Sequence, residues 1–206
     1  MKVSPDVVSS LKQADTLAAI DIGSNSIRMS LGQLTADGEI EILESIQRAV
    51  RMGQDTFKRG RLGRLAMRAA VMILKDLKRI LDLYDVKNVW TVATSTVREA
   101  SNSDIFRDRV FMATGLEVDV LDTLEESRLT VSAVQSQIGE NPDLVGKNTI
   151  IAEVGGGSTV LTVLKNGQIT TSRSLALGSI RMLEVFISGS EPWEQVTKIV
   201  HDEIES

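Results

Sequence analysis

Two rhythms of hydrophobic and polar positions divide this chain. Residues 17–21 form a short apolar run that ends in an acid and reads as a buried strand. Gly23-Ser24-Asn25-Ser26 is a turn, residues 27–34 read as the returning strand, and Asp37-Gly38 is a hairpin signal leading into a third strand at 39–48. The opening is thus an antiparallel meander. Residues 51–63 read as a basic, glycine-dotted loop. The period then changes: Ala66, Ala70, Ile73, Leu77, Ile80, Leu81 and Tyr84 recur at helical spacing and predict a long helix. A strand at 89–93 ends in Thr94-Ser95-Thr96. A helix capped by Ser103 runs to residue 113 and stops at Gly115. A strand at 117–121 and a helix at 124–138 follow, and Asn141-Pro142-Asp143 breaks the chain.

A second meander opens at 149–154, with a triple-glycine turn, strands at 160–165 and 168–175, and an Asn166-Gly167 hairpin. Two helices finish the chain, the last at 191–205. That helix has no C-terminal stop signal, so the chain is expected to end inside a domain. The organisation expected is a polar tail at 1–16, a first domain at 17–140, and the start of a second, truncated one at 148–206.

The two meanders align. Ile20-Asp21-Ile22-Gly23-Ser24-Asn25-Ser26 lies over Ala152-Glu153-Val154-Gly155-Gly156-Gly157-Ser158 with a constant offset, and the strands after them stay in register. Two related domains facing each other across a cleft would bring both turns to that cleft. Gly23, Gly155, Gly156 and Gly157 allow close backbone approach and positive φ. Successive N–H groups make an anion nest, and Ser24, Ser26 and Ser158 add hydroxyls. Asp21 and Glu153 end the strands, where a carboxylate can hold a hydrated Mg²⁺ that bridges to phosphate.

Composition narrows the chemistry. The chain has 206 residues, no cysteine and a single histidine, His201. Disulfides and thiolate–zinc sites are excluded, and a Ser-His-Asp triad is disfavoured. His201 reads as a surface residue. Aromatic residues are only 3%, so aliphatic side chains must build the core. The net charge of −5 argues against a sequence-specific nucleic-acid binder. No apolar run approaches the ~20 residues of a membrane span, and no signal-peptide core is evident, so a cytoplasmic protein is expected. Arg48, Arg51, Lys58, Arg59, Arg61 and Arg64 form a basic cluster that reads as a solvated loop or as a guide for a polyanion.

Four segments occur in order: Ala19-Ile20-Asp21-Ile22-Gly23-Ser24-Asn25-Ser26, Ala93-Thr94-Ser95-Thr96-Val97-Arg98-Glu99-Ala100-Ser101-Asn102, Glu125-Glu126-Ser127-Arg128-Leu129 and Gly155-Gly156-Gly157-Ser158-Thr159. Together they resemble the exopolyphosphatase / guanosine-pentaphosphate phosphohydrolase (Ppx/GppA) family. The resemblance implies an α/β fold of the actin/hexokinase/Hsp70-like (ribonuclease H-like) kind, with duplicated domains and a mixed sheet carrying helices on both faces. It implies removal of a terminal phosphate from polyphosphate or guanosine pentaphosphate with Mg²⁺. It places Glu126 as base, Arg98 at the phosphate site, and Asp21 and Glu153 at metal and phosphate; Gly23, Ser24, Asn25, Ser26 and Gly155 to Ser158 are the phosphate turns. A homodimer is compatible with it. The residues alone also allow Glu126 to close a Thr-x-x-Glu capping box with Thr123, Arg98 to be a surface arginine near a helix start, and Arg28 to face solvent. Two positions depart from the family: Glu153 stands where Asp is usual, and Val160 stands where Glu is usual. The alternative they raise is a member that binds alarmone, nucleotide or polyphosphate as a sensor.

Overall fold

The computed structural model describes residues 16–138, 147–185 and 192–205. The first part holds β1 (Thr16–Ile22), β2 (Ser26–Leu34), β3 (Ile40–Ala49), α1 (Gly53–Arg59), α2 (Arg64–Leu83), β4 (Asn88–Ala93), α3 (Ser95–Arg98), α4 (Ser103–Thr114) and β5 (Val118–Val120). Then come α5 (Thr123–Ile138), β6 (Asn148–Val154), β7 (Thr159–Lys165), β8 (Gln168–Leu175), α6 (Ser179–Val185) and α7 (Trp193–Glu205). Residues 1–15 and the break at 141–143 lie outside the described residues. No described helix is long and apolar enough to cross a membrane.

The first sheet has the order β3-β2-β1-β4-β5. The meander β1-β2-β3 is antiparallel, and β4 and β5 add in parallel. Alternation decides its faces. Ile20, Ile22, Ile27, Met29 and Leu31 point to one side and are fully buried. Helix α2 presents Met67, Ala70, Leu74, Leu77 and Leu81 to that side, and α4 adds Phe106 and Val110 to the same core. Helix α4 stops at Gly115, whose φ of 72° is the left-handed cap foreseen there. Its start differs: Asn102, not Ser103, is the cap residue, and the Asn102 amide instead bonds both the N–H and the carbonyl of Leu62.

The second sheet, β6-β7-β8, is antiparallel and repeats the first meander. Its hairpin turns through Asn166 (φ 51°) and Gly167 (φ 77°), the paired positive angles of a tight two-residue connection. Helix α5 lies against β7 and β8, burying Val160, Thr162 and Leu164 beneath it with Val131. The other face of β6 differs from its counterpart in β1. Ile150 and Val154 stay largely exposed there, whereas Ala18 and Ile22, the matching residues, are buried.

The loop predicted at 51–63 and the hydroxyl-rich turn after the strand at 89–93 are both helical in part. Within 51–63, α1 runs from Gly53 and ends at Gly60 with φ 67°. Thr94-Ser95-Thr96 leads into the single turn α3, which buries Ser95 and Thr96. Both corrections have one cause. These short helices pack against the second lobe, so long-range contacts fix them where local periodicity is too brief to register.

Candidate active site

The repeat holds at the level of single hydrogen bonds. Gly23 N donates to the Ser26 carbonyl at 3.0 Å, and Gly155 N donates to the Ser158 carbonyl at 2.9 Å. These two N–H groups close the turns and are not ligand donors. The turn carbonyls are also tied. Ser24 O accepts from Gly53 N at 2.8 Å and Asn25 O from Val50 N at 2.9 Å. In the second turn, Gly155 O accepts from Ser179 N, Gly156 O from Ile180 N and Arg181 N, and Gly157 O from Arg181 Nε at 2.6 Å. In a trans peptide, C=O and the next N–H point opposite ways. Tying these carbonyls therefore turns the N–H groups of Asn25, Ser26, Gly156, Gly157 and Ser158 away from the elements that hold them.

The expectation of positive φ at these glycines is overturned: among the described residues the left-handed glycines are Gly38, Gly60, Gly115 and Gly167. Space is the reason for glycine here. A Cβ on Gly157 would lie 2.3 Å from Ser95 Oγ and 2.5 Å from Phe57 Cζ, and one on Gly156 would lie 3.0 Å from Ser24 Cβ. The triple glycine lets the two lobes meet backbone to side chain.

Both turns line one cleft of about 550 Å³, together with Asp21, Arg28, Glu126, Thr130 and Glu153. Asp21 leaves β1 opposite Arg28 of β2, whose guanidinium lies 3.8 Å away. Burial raises the Asp21 pKa, Arg28 lowers it, and the nearby Glu153 charge raises it again. Glu153 occupies the matching place on β6, opposite Val160, and accepts a 2.5 Å hydrogen bond from Thr130.

Glu126 sits in the first turn of α5. The capping-box alternative does not hold, because Asp122 caps the helix: its side chain accepts from Glu125 N at 2.8 Å. The Glu126 carboxylate is free of that duty and meets Arg98 Nη1 at 3.0 Å. Burial raises its pKa most; Arg98 lowers it; Glu153 and Asp21 raise it further. Arg98 is not among the cleft-lining residues. Its Nη1 also donates to the Leu121 carbonyl at 2.6 Å, so the guanidinium buttresses Glu126 from behind.

Sequence reasoning missed Thr130, Arg28 and Arg181. Thr130 follows Glu126 by four positions on one helix, so it shares its face, a signal that was present. Arg28 aligns with Val160 in the repeat but cross-strand pairing with Asp21 was needed to place it. The short α3 segment carries more of the site than its sequence announces. Thr96 donates to Ser24 Oγ at 2.6 Å, Ser95 meets Gly157, Arg98 holds Glu126, and Glu99 receives Arg181 from the second lobe. The basic cluster does not line the cleft; Lys58 and Arg59 instead pair with Glu184 and Asp55. His201 is exposed on α7, with Glu205 one turn away.

For a cation the donor set is sparse. Among the described residues, no three acidic or imidazole side chains converge into a cage. Asp21 and Glu153 face one another across a polar cleft, which suits Mg²⁺, an ion that keeps several waters and takes one or two carboxylates.

A family model described as the Ppx/GppA phosphatase family matches residues 33–206. The chain belongs to the Ppx/GppA phosphatase family. The fold is α/β of the actin/hexokinase-like kind, and its turn-bearing meander occurs twice, once in the five-stranded and once in the three-stranded sheet. A Ppx/GppA family member from Aquifex aeolicus superposes with a TM-score of 0.71 at 30% identity, over 89% of this chain and 58% of that one. Exopolyphosphatase 1 of Mycobacterium leprae is 27% identical over 92% of this chain and 55% of its own length. A bifunctional 3-dehydroquinate synthase/phosphatase of Fusobacterium nucleatum is 29% identical over 87% of this chain and 28% of its own length. This Ppx/GppA chain thus spans less than two thirds of each of these relatives.

Proposed function

We propose that this protein hydrolyses the terminal phosphoanhydride bond of inorganic polyphosphate, with guanosine pentaphosphate as the competing substrate. One observation carries the reading: Glu126, half-buried and with raised proton affinity, shares a single cleft with both phosphate turns. A carboxylate whose pKa moves up toward working pH is a better proton acceptor. The lining of hydroxyls, Arg28 and backbone suits a chain of phosphates, and its carboxylates would need a cation between them and that chain. The exopolyphosphatase relative supports that order of substrates.

Ser24, Ser26, Ser158 and the outward N–H groups bind the terminal phosphate. Glu126 takes a proton from water as its oxygen bonds to the terminal phosphorus. The bond from that phosphorus to the bridging oxygen breaks, releasing orthophosphate and a chain one unit shorter. Arg98 acts through Glu126 by fixing its carboxylate. Asp21 and Glu153 would hold a hydrated Mg²⁺, which would neutralise charge on the phosphate oxygens.

Phosphate release from tripolyphosphate, long-chain polyphosphate and guanosine pentaphosphate tests this, with Glu126→Gln beside the parent. The variant is expected to bind substrate and to turn over at least ~10²-fold more slowly. Equal rates in both would remove Glu126 as base. A second reading, binding without turnover, is favoured by Val160. That residue puts a buried methyl pair across from Glu153 where the family usually has a carboxylate. Calorimetric binding of tripolyphosphate with no phosphate release would select it.

A further inference from the structure

We propose that Arg181 is a positioning residue that sets the second phosphate turn against the first. The inference rests on the phosphatase reading of the cleft and adds the element that aligns its two halves. Arg181 lies on α6 in the second lobe, and its guanidinium makes three kinds of contact at once. Nε donates to the Gly157 carbonyl at 2.6 Å. Nη2 lies 2.6 Å from both carboxylate oxygens of Glu99 in the first lobe. The guanidinium carbon stands 4.2 Å over the Phe57 ring, also in the first lobe.

A planar fork of fixed N–H directions can do this; a point charge cannot. The bond to Gly157 O fixes the Gly157–Ser158 peptide. Because that peptide is planar, its N–H, carried by Ser158, is aimed at the same time. The bond to Glu99 ties the same guanidinium to the segment whose Arg98 holds Glu126 and whose Thr96 holds Ser24. One side chain therefore references the donors of the second turn to the base and to the first turn. The Arg181 side chain is only 13% exposed, which protects its bond to Gly157 O, while Glu99 at 41% keeps one side of the ion pair open to solvent. A second ion pair between lobes, Lys58 with Glu184 at 2.8 Å, joins α1 to α6 but touches neither turn. It supplies an internal control.

The experiment is steady-state hydrolysis of tripolyphosphate by the parent, Arg181→Gln, Arg181→Lys, Glu99→Gln and Glu184→Gln, with backbone amide exchange on the same proteins. Arg181→Gln is expected to lower kcat/KM on the order of 10²-fold, the cost of misplacing reacting groups by about 1 Å. Much of that loss should appear as a raised KM. Glu99→Gln should reproduce part of it, and the double variant should lose less than the two singles combined. Arg181→Lys keeps the charge without the fork and should keep the raised KM. Glu184→Gln should leave kcat and KM at parent values. A purely structural role would lower the active fraction, and hence apparent kcat, with KM unchanged; that result overturns the proposal. So does full recovery of KM by lysine. If the parent neither binds nor hydrolyses tripolyphosphate, the phosphatase reading fails by itself. Exchange then decides the clasp: Arg181→Gln must speed exchange of the Ser179 and Ile180 amides relative to those of β1, and unchanged exchange overturns it.

Discussion

Arg98 Nη1 donates to Glu126 Oε2 at 3.0 Å while it also donates to the Leu121 carbonyl at 2.6 Å. The second bond matters because it holds the guanidinium in place independently of Glu126. The carboxylate thus meets a fixed cation from behind and two like charges, Asp21 and Glu153, from the cleft. Burial dominates the balance and leaves its proton affinity above the ordinary glutamate value of 4.5.

The direction of each neighbour's effect gives a pH test. Arg98 lowers the Glu126 pKa, so Arg98→Gln should move the acid limb of kcat/KM to higher pH. Glu153 raises it, so Glu153→Gln should move the limb to lower pH. Carbon-detected NMR titration of Glu126 in the same variants reads the shift without turnover. Stability follows with its own sign. A folded pKa above the unfolded one means that Glu126 contributes fully below about 4.5 and loses that contribution as pH rises through the folded value. Glu126→Gln should therefore resist urea better than the parent at neutral pH, and no better under acid conditions. Limbs that shift the opposite way would refute this account of the site.

Gly157 makes a separate prediction, because it needs glycine for space and not for φ. Gly157→Ala drives a methyl into Ser95 and Phe57, and it should cost about 1–3 kcal/mol with weakened tripolyphosphate binding. Gly38→Ala is the contrast. Its φ of 81° is unfavourable to alanine, but a Cβ there meets nothing within 4 Å. It should cost about 1 kcal/mol and leave binding alone. Thermal melts and calorimetry on both variants check this, and normal binding by Gly157→Ala would show that the lobes need not meet so closely.

How far the sequence reaches can be judged from these same residues. Both meanders, their hairpins and the long helix were legible because period-2 and period-3.6 patterns are local. The offset between Asp21 and Glu153 was legible because duplication preserves spacing, and it returned the matched Gly23–Ser26 and Gly155–Ser158 bonds. What failed depended on contacts between distant segments. Helices α1 and α3 are too short to declare themselves without the second lobe, and the Arg98–Glu126 pair joins residues whose closeness only the fold creates. Asp122 could have been preferred as the α5 cap on sequence grounds, since Asp is as good a cap as Thr or better.

The centre of the first sheet carries a removable cost. Thr91 on β4 is 2% exposed, and its hydroxyl is buried without a hydrogen-bond partner. Valine has the same shape and no polar atom to desolvate. Thr91→Val should raise stability by about 1 kcal/mol, read as a higher urea midpoint with an unchanged slope. A loss of stability would mean that the hydroxyl has a water partner in solution.

Val160 gives the last test, because it separates the two lobes chemically. Asp21 faces Arg28 across one strand pair, and Glu153 faces Val160 across its counterpart. Val160→Glu would place a carboxylate beside Glu153 in a position that is 3% exposed. Burial and like charge both raise the pKa of such a group. Its cost is therefore small while it is protonated and grows as pH rises through the raised value. The variant should match the parent most closely near pH 5 and fall behind by several kcal/mol toward about pH 8. If Asp21 and Glu153 hold Mg²⁺, millimolar magnesium at the higher pH should restore the variant more than it stabilises the parent, since a third carboxylate strengthens the site. Melting curves at two pH values, with and without the ion, decide both points. Loss of stability that ignores pH would show that the new side chain turns away from Glu153, and magnesium without differential effect would take the cation away from this pair of strands.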